Sequence, residues 1–316
     1  MVTMHPNAHS RRVGGPGRRQ FIKALGVLAA APLSAAARSL KARASMQFGY
    51  AAITWGSDYM TAIDEIAAAG FKGIQLRAGD GLLDRFGNKP AELKELLARN
   101  RLAFPVFSSG NLSIDPAREK EMFDLHTSHA RFVRDAGGLY LQVIDERPKG
   151  RPVVADDYKR LGRLLTELSK RVREAGATLV YHHHMNSTGE KPEEIASVLD
   201  AADHRVVRLL FDTAHYQQGG GDPASAIRKY RKWIEVLHLK DVRPGAEGRS
   251  AVAGGYTFVE LGRGRVDLKG VFAALDDISF KGWGIVELDR VPDPERTPRE
   301  SADINRRYLS DILHAM

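Results

Sequence analysis

Short apolar runs alternate with longer amphipathic segments from residue 47 to the end of the chain. The short runs are rich in Val, Ile, Leu, Tyr and Phe, which is typical of buried β-strands. The longer segments repeat their apolar residues at helical spacing, as in Tyr59–Ala69 and Tyr158–Ala175. Ala-Gly pairs such as Ala69-Gly70 stand where such a segment should end as a helix. The pattern therefore predicts regular alternation of strands and helices, and with it a parallel sheet.

Eight strands are predicted, which is the number that closes a parallel barrel. They are Gln47–Ile53, Gly73–Leu76, Ala103–Ser108, Leu139–Ile144, Ala177–Tyr181, Val207–Phe211, Glu235–Leu239 and Gly284–Leu288. An open doubly wound sheet is the alternative, but it often has a glycine-rich first turn, which Thr54-Trp55-Gly56-Ser57 is not. We predict an α/β fold, a single-domain (β/α)8 TIM barrel over residues 45–316. The longest predicted loop, residues 242–257, is rich in Gly and charge and is expected to act as a lid.

An export signal is predicted in residues 1–44. Arg18-Arg19-Gln20-Phe21-Ile22-Lys23 resembles the twin-arginine motif, and the apolar residues 24–33 follow it. This stretch is shorter than the roughly 20 apolar residues of a membrane-spanning helix. Cleavage sites between small residues lie after Ala37 and after Ala44. The segment predicts a periplasmic or secreted protein without a stable membrane anchor after cleavage, and a disordered basic tail is the alternative.

The positive charge of the chain is concentrated in this segment. Eight of the 47 basic residues lie in residues 1–44, which contain no acidic residue. The 39 basic residues that remain equal the 39 acidic residues, so the formal charge of +8 belongs to the N-terminal segment. A neutral body lacks the basic surface with which proteins bind nucleic acids or anionic membranes. The chain has no cysteine, which excludes disulfides and thiolate metal ligands.

Residues with metal-binding side chains stand at or next to the ends of four of the predicted strands. They are the histidine run at 182–184, Asp212, His238 and Glu287. In a (β/α)8 barrel all strands end at one face, where these barrels carry their active sites. Imidazole and carboxylate together suit Mn²⁺, Zn²⁺, Co²⁺ or Fe²⁺. The strand ends therefore predict one metal site at that face, although Asp212 also has the position of a helix N-cap.

The run Tyr181-His182-His183-His184-Met185 can be divided by strand geometry. Successive side chains of a strand point to opposite sides, so His182 and His184 point together and His183 points away. If His182 binds the metal, His184 is near enough to contact substrate or move a proton. His183 is then expected to pack among the outer helices. Strand alternation alone leaves open which of His182 and His184 is the ligand.

These segments together resemble the xylose-isomerase-like TIM barrels, which include sugar isomerases, ketose 3-epimerases and inosose dehydratases. The resemblance covers about residues 47–312 and rests on the segments Ile53-Thr54-Trp55-Gly56, Tyr181–Met185, Phe211–His215, His238-Leu239-Lys240-Asp241, Gly262–Asp267 and Val286-Glu287. The Thr-Trp, Tyr-His-His-His-Met and His-x-Lys-Asp segments look most like inosose dehydratases and keto-sugar lyases. Epimerases of the superfamily usually carry Glu at the position of His182.

The resemblance implies one divalent metal ion, with Mn²⁺ preferred over Zn²⁺, Co²⁺, Mg²⁺ or Fe²⁺. The implied metal ligands are His182, Asp212, His238 and Glu287. The implied catalytic residues are His184, Lys240 and His215. The implied substrate contacts are Trp55 and Arg77, and wall packing or an ion pair is the alternative for both. A buried Lys240 near a metal is expected to have a lowered pKa and to move a proton or stabilise an oxyanion, and a salt bridge is its alternative.

The resulting hypothesis is a metal-dependent carbon–oxygen lyase. It would act by β-elimination or dehydration next to the carbonyl of a keto-sugar, 3-keto-glycoside or keto-inositol, through an enediolate. A sugar isomerase or ketose 3-epimerase shares the first step and is the main alternative. A non-catalytic carbohydrate-binding barrel and a DNA-repair endonuclease are more remote, and the neutral body argues against the endonuclease. The partner is a small carbohydrate or cyclitol, and a homo-oligomer is compatible with the sequence.

Overall fold

The computed structural model describes residues 46–79, 81–245 and 255–313. The predicted export segment, residues 1–44, lies outside the described residues. Within the described residues no helix is long and apolar enough to cross a membrane.

Eight parallel strands form a closed barrel in the described part of the chain, in the order β1-β10-β7-β6-β5-β4-β3-β2. They are β1 (Gln47–Ala51), β2 (Gly73–Arg77), β3 (Ala103–Leu112), β4 (Tyr140–Asp145), β5 (Thr178–His182), β6 (Arg208–Asp212), β7 (Ile234–Leu239) and β10 (Trp283–Val286). Each of them overlaps a predicted strand, so the barrel prediction is confirmed.

Ten α-helices in the same residues surround the barrel. They are α1 (Tyr59–Ala68), α2 (Leu82–Phe86), α3 (Pro90–Arg99), α4 (Glu119–Asp135), α5 (Ala155–Glu174), α6 (Pro192–Asp200), α7 (Thr213–Gln218), α8 (Pro223–Lys229), α9 (Leu268–Asp277) and α10 (Pro298–Leu313). Their apolar faces pack against the outer side chains of the strands in one continuous core. Two short 3-10 helices, Ala52–Trp55 and Pro116–Arg118, lie in the connections.

The barrel interior is a smaller apolar cluster. It consists of Ala51, Val106, Val180, Leu210, Val236, Trp283 and Ile285. A Cβ atom on Gly73 would lie 2.6 Å from the Trp283 ring, so only glycine leaves room for this indole. The interior below the strand ends is therefore filled, and the open space is left at the C-terminal face.

The predicted lid loop is partly a hairpin. β8 (Asp241–Pro244) pairs antiparallel with β9 (Tyr256–Val259), and residues 246–254 between them lie outside the described part. The expectation of a loop over residues 242–257 is therefore wrong at both ends, because residues 242–244 and 256–257 belong to strands. Phe258 of this hairpin lies against His215, with ring centres 5.1 Å apart.

Asp241 fixes the loop that follows the hairpin. Its carboxylate accepts hydrogen bonds from the backbone N–H groups of Val242, Gly262, Gly264 and Val266, at 2.8 to 3.1 Å. A Cβ atom on Gly264 would lie 2.2 Å from this carboxylate, which explains the glycine. The Asp of the His-x-Lys-Asp segment thus binds the backbone of the Gly-Arg-Gly-Arg segment.

Candidate metal centre

Four side chains from four strands converge at the C-terminal face of the barrel. His182 ends β5, Asp212 ends β6, His238 lies on β7 and Glu287 follows β10. One ligand atom of each lies within 4.8 Å of the others, and all four residues are buried. Alternation along the strands points them inward, because each stands two positions after a residue of the interior cluster, namely Val180, Leu210, Val236 and Ile285.

Three atoms of this cluster are buried without a hydrogen-bond partner among the described residues. They are Nδ1 of His182, Oδ2 of Asp212 and Nδ1 of His238. Buried polar atoms are nearly always paired, since an unpaired one costs about 1–3 kcal/mol. Two imidazoles and two carboxylates form a donor set that Mn²⁺, Zn²⁺ or Fe²⁺ accepts. The unpaired atoms and the donor types both fit a divalent cation.

Asp212 uses its two oxygens for two purposes. Oδ1 accepts a 2.8 Å hydrogen bond from the backbone N–H of His215 and so caps α7. Oδ2 is the unpaired atom and lies 3.5 Å from Nδ1 of His238. The N-cap interpretation and the ligand interpretation of Asp212 are therefore compatible.

His238 is held between a glutamine and two carboxylates. Nε2 of His238 lies 2.9 Å from Oε1 of Gln75, and an amide oxygen only accepts, so Nε2 carries the proton. Nδ1 faces the carboxylates and lies 3.2 Å from Oε2 of Glu287. Burial lowers the pKa of His238, but the charges of Glu287 and Asp212 outweigh it and raise the pKa to about 9. The two carboxylates therefore attract a positive charge to this point, either a proton or a metal cation.

Lys240 is buried beside Glu287. Its Nζ lies 2.8 Å from Oε2 of Glu287, 2.5 Å from Oδ1 of Asp289 and 4.0 Å from the centre of the Phe258 ring. Burial lowers the pKa of Lys240, but the charges of Asp289 and Glu287 outweigh it and raise the pKa above its usual value. These two carboxylates oppose the lowering of the pKa that is expected from a nearby metal ion. The salt-bridge interpretation is observed, and Lys240 is a fixed cation at the site.

The three histidines of the run point as alternation predicts. His182 and His184 lie on the same side, with ring centres 5.4 Å apart. His183 points outward, where its Nε2 accepts a 3.2 Å hydrogen bond from the Asp212 backbone N–H and its ring packs against Tyr216 of α7. Burial holds the pKa of His182 well below its usual value. His182 is thus a neutral imidazole, as metal ligation requires.

His184 and His215 form a second group with His182. The ring centres of His184 and His215 are 3.8 Å apart, and one nitrogen of each of the three histidines lies within 4.8 Å of the others. This group has no carboxylate to balance a dication, whereas the four-residue cluster has two. The four-residue cluster is therefore the better metal site, with His184 and His215 beside it.

A cavity opens above the cluster, between the ends of β1 to β5 and β10. Its lining includes His182, His184, Glu287 and the predicted substrate residue Arg77. Trp55 is not part of this lining among the described residues. Its indole Nε1 donates a 2.6 Å hydrogen bond to Oε2 of Glu65, and its ring contacts Tyr50 edge-on. The structure therefore places Trp55 in the wall behind the cavity, where Ile53 takes the inward position.

Three polar residues of the site were not predicted. Gln75 contacts two of the ligands, Gln142 lines the cavity, and Asp289 pairs with Lys240. Oε1 of Gln142 is buried without a hydrogen-bond partner in the described residues. For Gln75 and Gln142, the sequence signal was a glutamine at an inward position of a mainly apolar strand.

The fold and this cluster define a class, the (β/α)8 barrels with a candidate metal site at the strand ends. The chain belongs to the xylose isomerase-like TIM barrel family, because the model of that family matches residues 63–308.

Proteins named inosose dehydratase are among the sequence relatives of this chain. The chain is 29% identical over 304 residues to the inosose dehydratase of Lacticaseibacillus casei strain BL23, covering 86% of this chain and 98% of that protein. The inosose dehydratase of Clostridium tetani is likewise 29% identical, with 84% of this chain and 97% of that protein covered.

Three solved structures share the fold at low identity. The structure of IolI with a bound zinc atom has a TM-score of 0.71 and 18% identity, covering 85% of this chain and 98% of that one. The probable 3-DHS dehydratase AsbF of Bacillus anthracis has a TM-score of 0.67 and 14% identity, with 84% and 99% covered. The D-psicose 3-epimerase of Clostridium cellulolyticum H10 has a TM-score of 0.67 and 17% identity, with 85% and 99% covered.

Proposed function

We propose that this protein is a divalent-metal-dependent lyase that eliminates water or an alcohol next to the carbonyl of a keto-sugar, 3-keto-glycoside or keto-inositol. The observation that carries the proposal is the buried cluster of His182, Asp212, His238 and Glu287, with its unpaired atoms. The relatives named inosose dehydratase support dehydration as the reaction type.

His182, Asp212, His238 and Glu287 would hold the metal ion. The donor set suits Mn²⁺, our preferred ion, and the zinc in the similar structure of IolI supports Zn²⁺ as well. When bound, a divalent cation supplies Lewis acidity that stabilises negative charge on a carbonyl oxygen.

The residues around the cluster supply the other needs of an elimination. Loss of the proton next to the carbonyl places negative charge on the carbonyl oxygen, and a fixed cation such as Lys240 stabilises that charge. His184 is half-buried in the cavity lining and can reach a bound substrate, so it is the proposed base. His215, buried next to His184, is the proposed second catalytic group, and Arg77 contacts substrate hydroxyls.

Product analysis tests this function. The purified, metal-loaded protein is incubated with 2-keto-myo-inositol and with a 3-keto-glycoside, and the products are identified by mass spectrometry. The proposal expects loss of water from the first or release of an alcohol from the second. Recovery of an isomerised ketose with no loss of mass would contradict it.

A sugar isomerase or ketose 3-epimerase is the second candidate. It shares proton removal next to a carbonyl, and the fold similarity to D-psicose 3-epimerase agrees with it. His182 at a position where epimerases usually carry Glu favours the lyase. A non-catalytic carbohydrate-binding barrel is the third candidate. It predicts that Glu287→Gln leaves ligand binding intact, whereas an enzyme loses turnover.

Export is a separate proposal, supported by Arg18 and Arg19 and the apolar residues 24–33. We propose that the protein is periplasmic or secreted after twin-arginine export. Cell fractionation of the full chain tests this proposal. The double variant Arg18→Lys/Arg19→Lys should remain inside the cell, and unchanged export of that variant would overturn it.

A further inference from the structure

The backbone of Met185, the last residue of the run Tyr181–Met185, contacts two catalytic candidates. The carbonyl oxygen of Met185 lies 2.7 Å from Nδ1 of His184. The backbone N–H of Met185 donates a 3.2 Å hydrogen bond to Nδ1 of His215. Both imidazoles are thus held through the same ring atom, but with opposite hydrogen-bond polarity.

This polarity fixes the tautomers of the two rings. A carbonyl oxygen only accepts, so Nδ1 of His184 must carry a proton, and in the neutral ring Nε2 is left with a lone pair. A backbone N–H only donates, so Nδ1 of His215 must be the bare nitrogen, and Nε2 carries the proton. His184 therefore presents an acceptor and His215 presents a donor.

The surroundings direct these two nitrogens to the site. Nε2 of His215 is buried, has no hydrogen-bond partner among the described residues, and lies 4.0 Å from Oδ2 of Asp212. The ring is held in place by Phe258 on its other side. His184 lines the cavity, and its ring centre is 3.8 Å from that of His215. His215 is therefore buried directly beside the ring that lines the cavity.

We propose that the backbone N–H and C=O of Met185 give these rings different catalytic roles: His184 is the proton acceptor and carrier, and His215 is a permanent hydrogen-bond donor. This inference rests on the proposed function and deepens it. Met185 acts as a positioning residue through its backbone. A protonated Nε2 also means that His215 is not a metal ligand, since its lone pair is on the nitrogen that faces Met185.

A single base, His184, is sufficient for the proposed elimination. Nε2 of His184 takes the proton from the carbon next to the carbonyl, and the electrons of that C–H bond form the C=C bond of an enediolate. The enediolate then expels the β-oxygen, which leaves with the electrons of its C–O bond. His184 returns the same proton to that oxygen, so water or an alcohol departs and the imidazole is neutral again. His215 donates a hydrogen bond to a substrate oxygen throughout and loses no proton.

The first test measures the tautomers without any turnover. The metal-free protein is labelled with ¹⁵N-histidine, and the signals of the two rings are assigned by their loss in His184→Gln and His215→Gln. We expect a proton on Nδ1 of His184 and on Nε2 of His215. The same tautomer on both rings, or the reverse assignment, would overturn the inference.

The second test gives the two histidines the same substitution. Glutamine keeps an N–H donor but cannot carry a proton from carbon, so His215→Gln should retain activity within about tenfold of the wild type, and His215→Leu should lose about 10²- to 10³-fold. The activity of His184→Gln should fall about 10³-fold or more. The exchange of the substrate α-proton with D₂O should be lost in the same variant. Equal losses in the two glutamine variants would contradict the division of roles.

These two tests separate the inference from the proposed function. If the wild-type protein eliminates nothing from keto-sugars, the proposed function fails, and the ¹⁵N spectra still decide the tautomers. If elimination is observed and the tautomers are reversed, the proposed function stands and the inference fails.

Discussion

Nζ of Lys240 lies 2.8 Å from Oε2 of Glu287, and both side chains are buried at the end of the barrel. Burial by itself raises the pKa of Glu287, but the charges of His238 and Lys240 outweigh it and hold the pKa well below its usual value. Glu287 is therefore an ionised carboxylate, available to a cation, and Lys240 is part of the electrostatics of the candidate metal centre.

Removing the charge of Lys240 should destabilise the protein. Lys240→Met leaves Glu287 and Asp289 without their common partner, and breaking a buried ion pair on one side costs about 3–5 kcal/mol. Urea unfolding of the metal-free protein measures the loss. The double variant Lys240→Met/Asp289→Asn should recover part of it, because one of the two carboxylates is then neutral. Equal stabilities of Lys240→Met and the wild type would contradict the account.

Loss of a ligand should remove the metal. His238→Ala and Glu287→Gln each take one donor atom from the four-residue cluster, so elemental analysis after dialysis should find much less metal than in the wild type. His204→Ala, which changes an exposed histidine, is the matched control and should keep the wild-type content. A wild-type metal content in both ligand variants would exclude this cluster as the site.

Gln75 should tune the metal affinity without being a ligand. Gln75→Leu removes the acceptor that fixes His238 and the donor to Glu287, and the loss of such supporting contacts typically costs about 10- to 100-fold in metal affinity. Metal titration of the stripped protein measures the change. Gln142→Leu, a glutamine on β4 in the same cavity, is the control and should shift affinity by less than about threefold. Equal shifts in both variants would contradict the positioning role.

A buried histidine pair on α4 should make stability depend on pH. Oγ of Ser109 lies 2.6 Å from Nδ1 of His126 and 2.8 Å from Nδ1 of His129. Burial lowers the pKa of His126 from 6.5 to about 4. Below pH 6.5 the unfolded chain therefore binds a proton that the folded protein does not.

The sign of the effect follows from this difference. The contribution of His126 to the free energy of unfolding is fully present above pH 6.5. It is lost as the pH falls toward 4, by about 1.4 kcal/mol per pH unit. Unfolding free energies measured between pH 4 and 8 test this. His126→Gln should reduce the slope in that window and His204→Gln should leave it unchanged. An unaltered slope in His126→Gln would contradict the prediction.

The barrel and the metal cluster were predictable because they depend on regular geometry. Strand alternation and barrel closure bring Asp212, His238 and Glu287 to one face wherever the intervening helices lie. Trp55 lies outside this regular geometry. It belongs to the 3-10 helix Ala52–Trp55, where the alternation of β1 has ended, so its direction could not be read from strand spacing.

Contacts between distant segments were not predictable. Asp289 meets Lys240, and Gln75 meets both His238 and Glu287, only because β2, β7 and β10 lie close together at one end of the barrel. The sequence carries no periodic signal for such pairs. The carboxylate of Asp289 raises the pKa of Lys240, and strand spacing gave no indication of this contact.

One divalent cation is proposed to bind between the ends of β5, β6, β7 and β10. Anomalous diffraction from crystals of the metal-loaded protein, collected at the absorption edge of the metal, tests it most directly. The account predicts one peak within coordination distance of His182, Asp212, His238 and Glu287. A peak bound instead by His182, His184 and His215, or no peak at the barrel end, would contradict it.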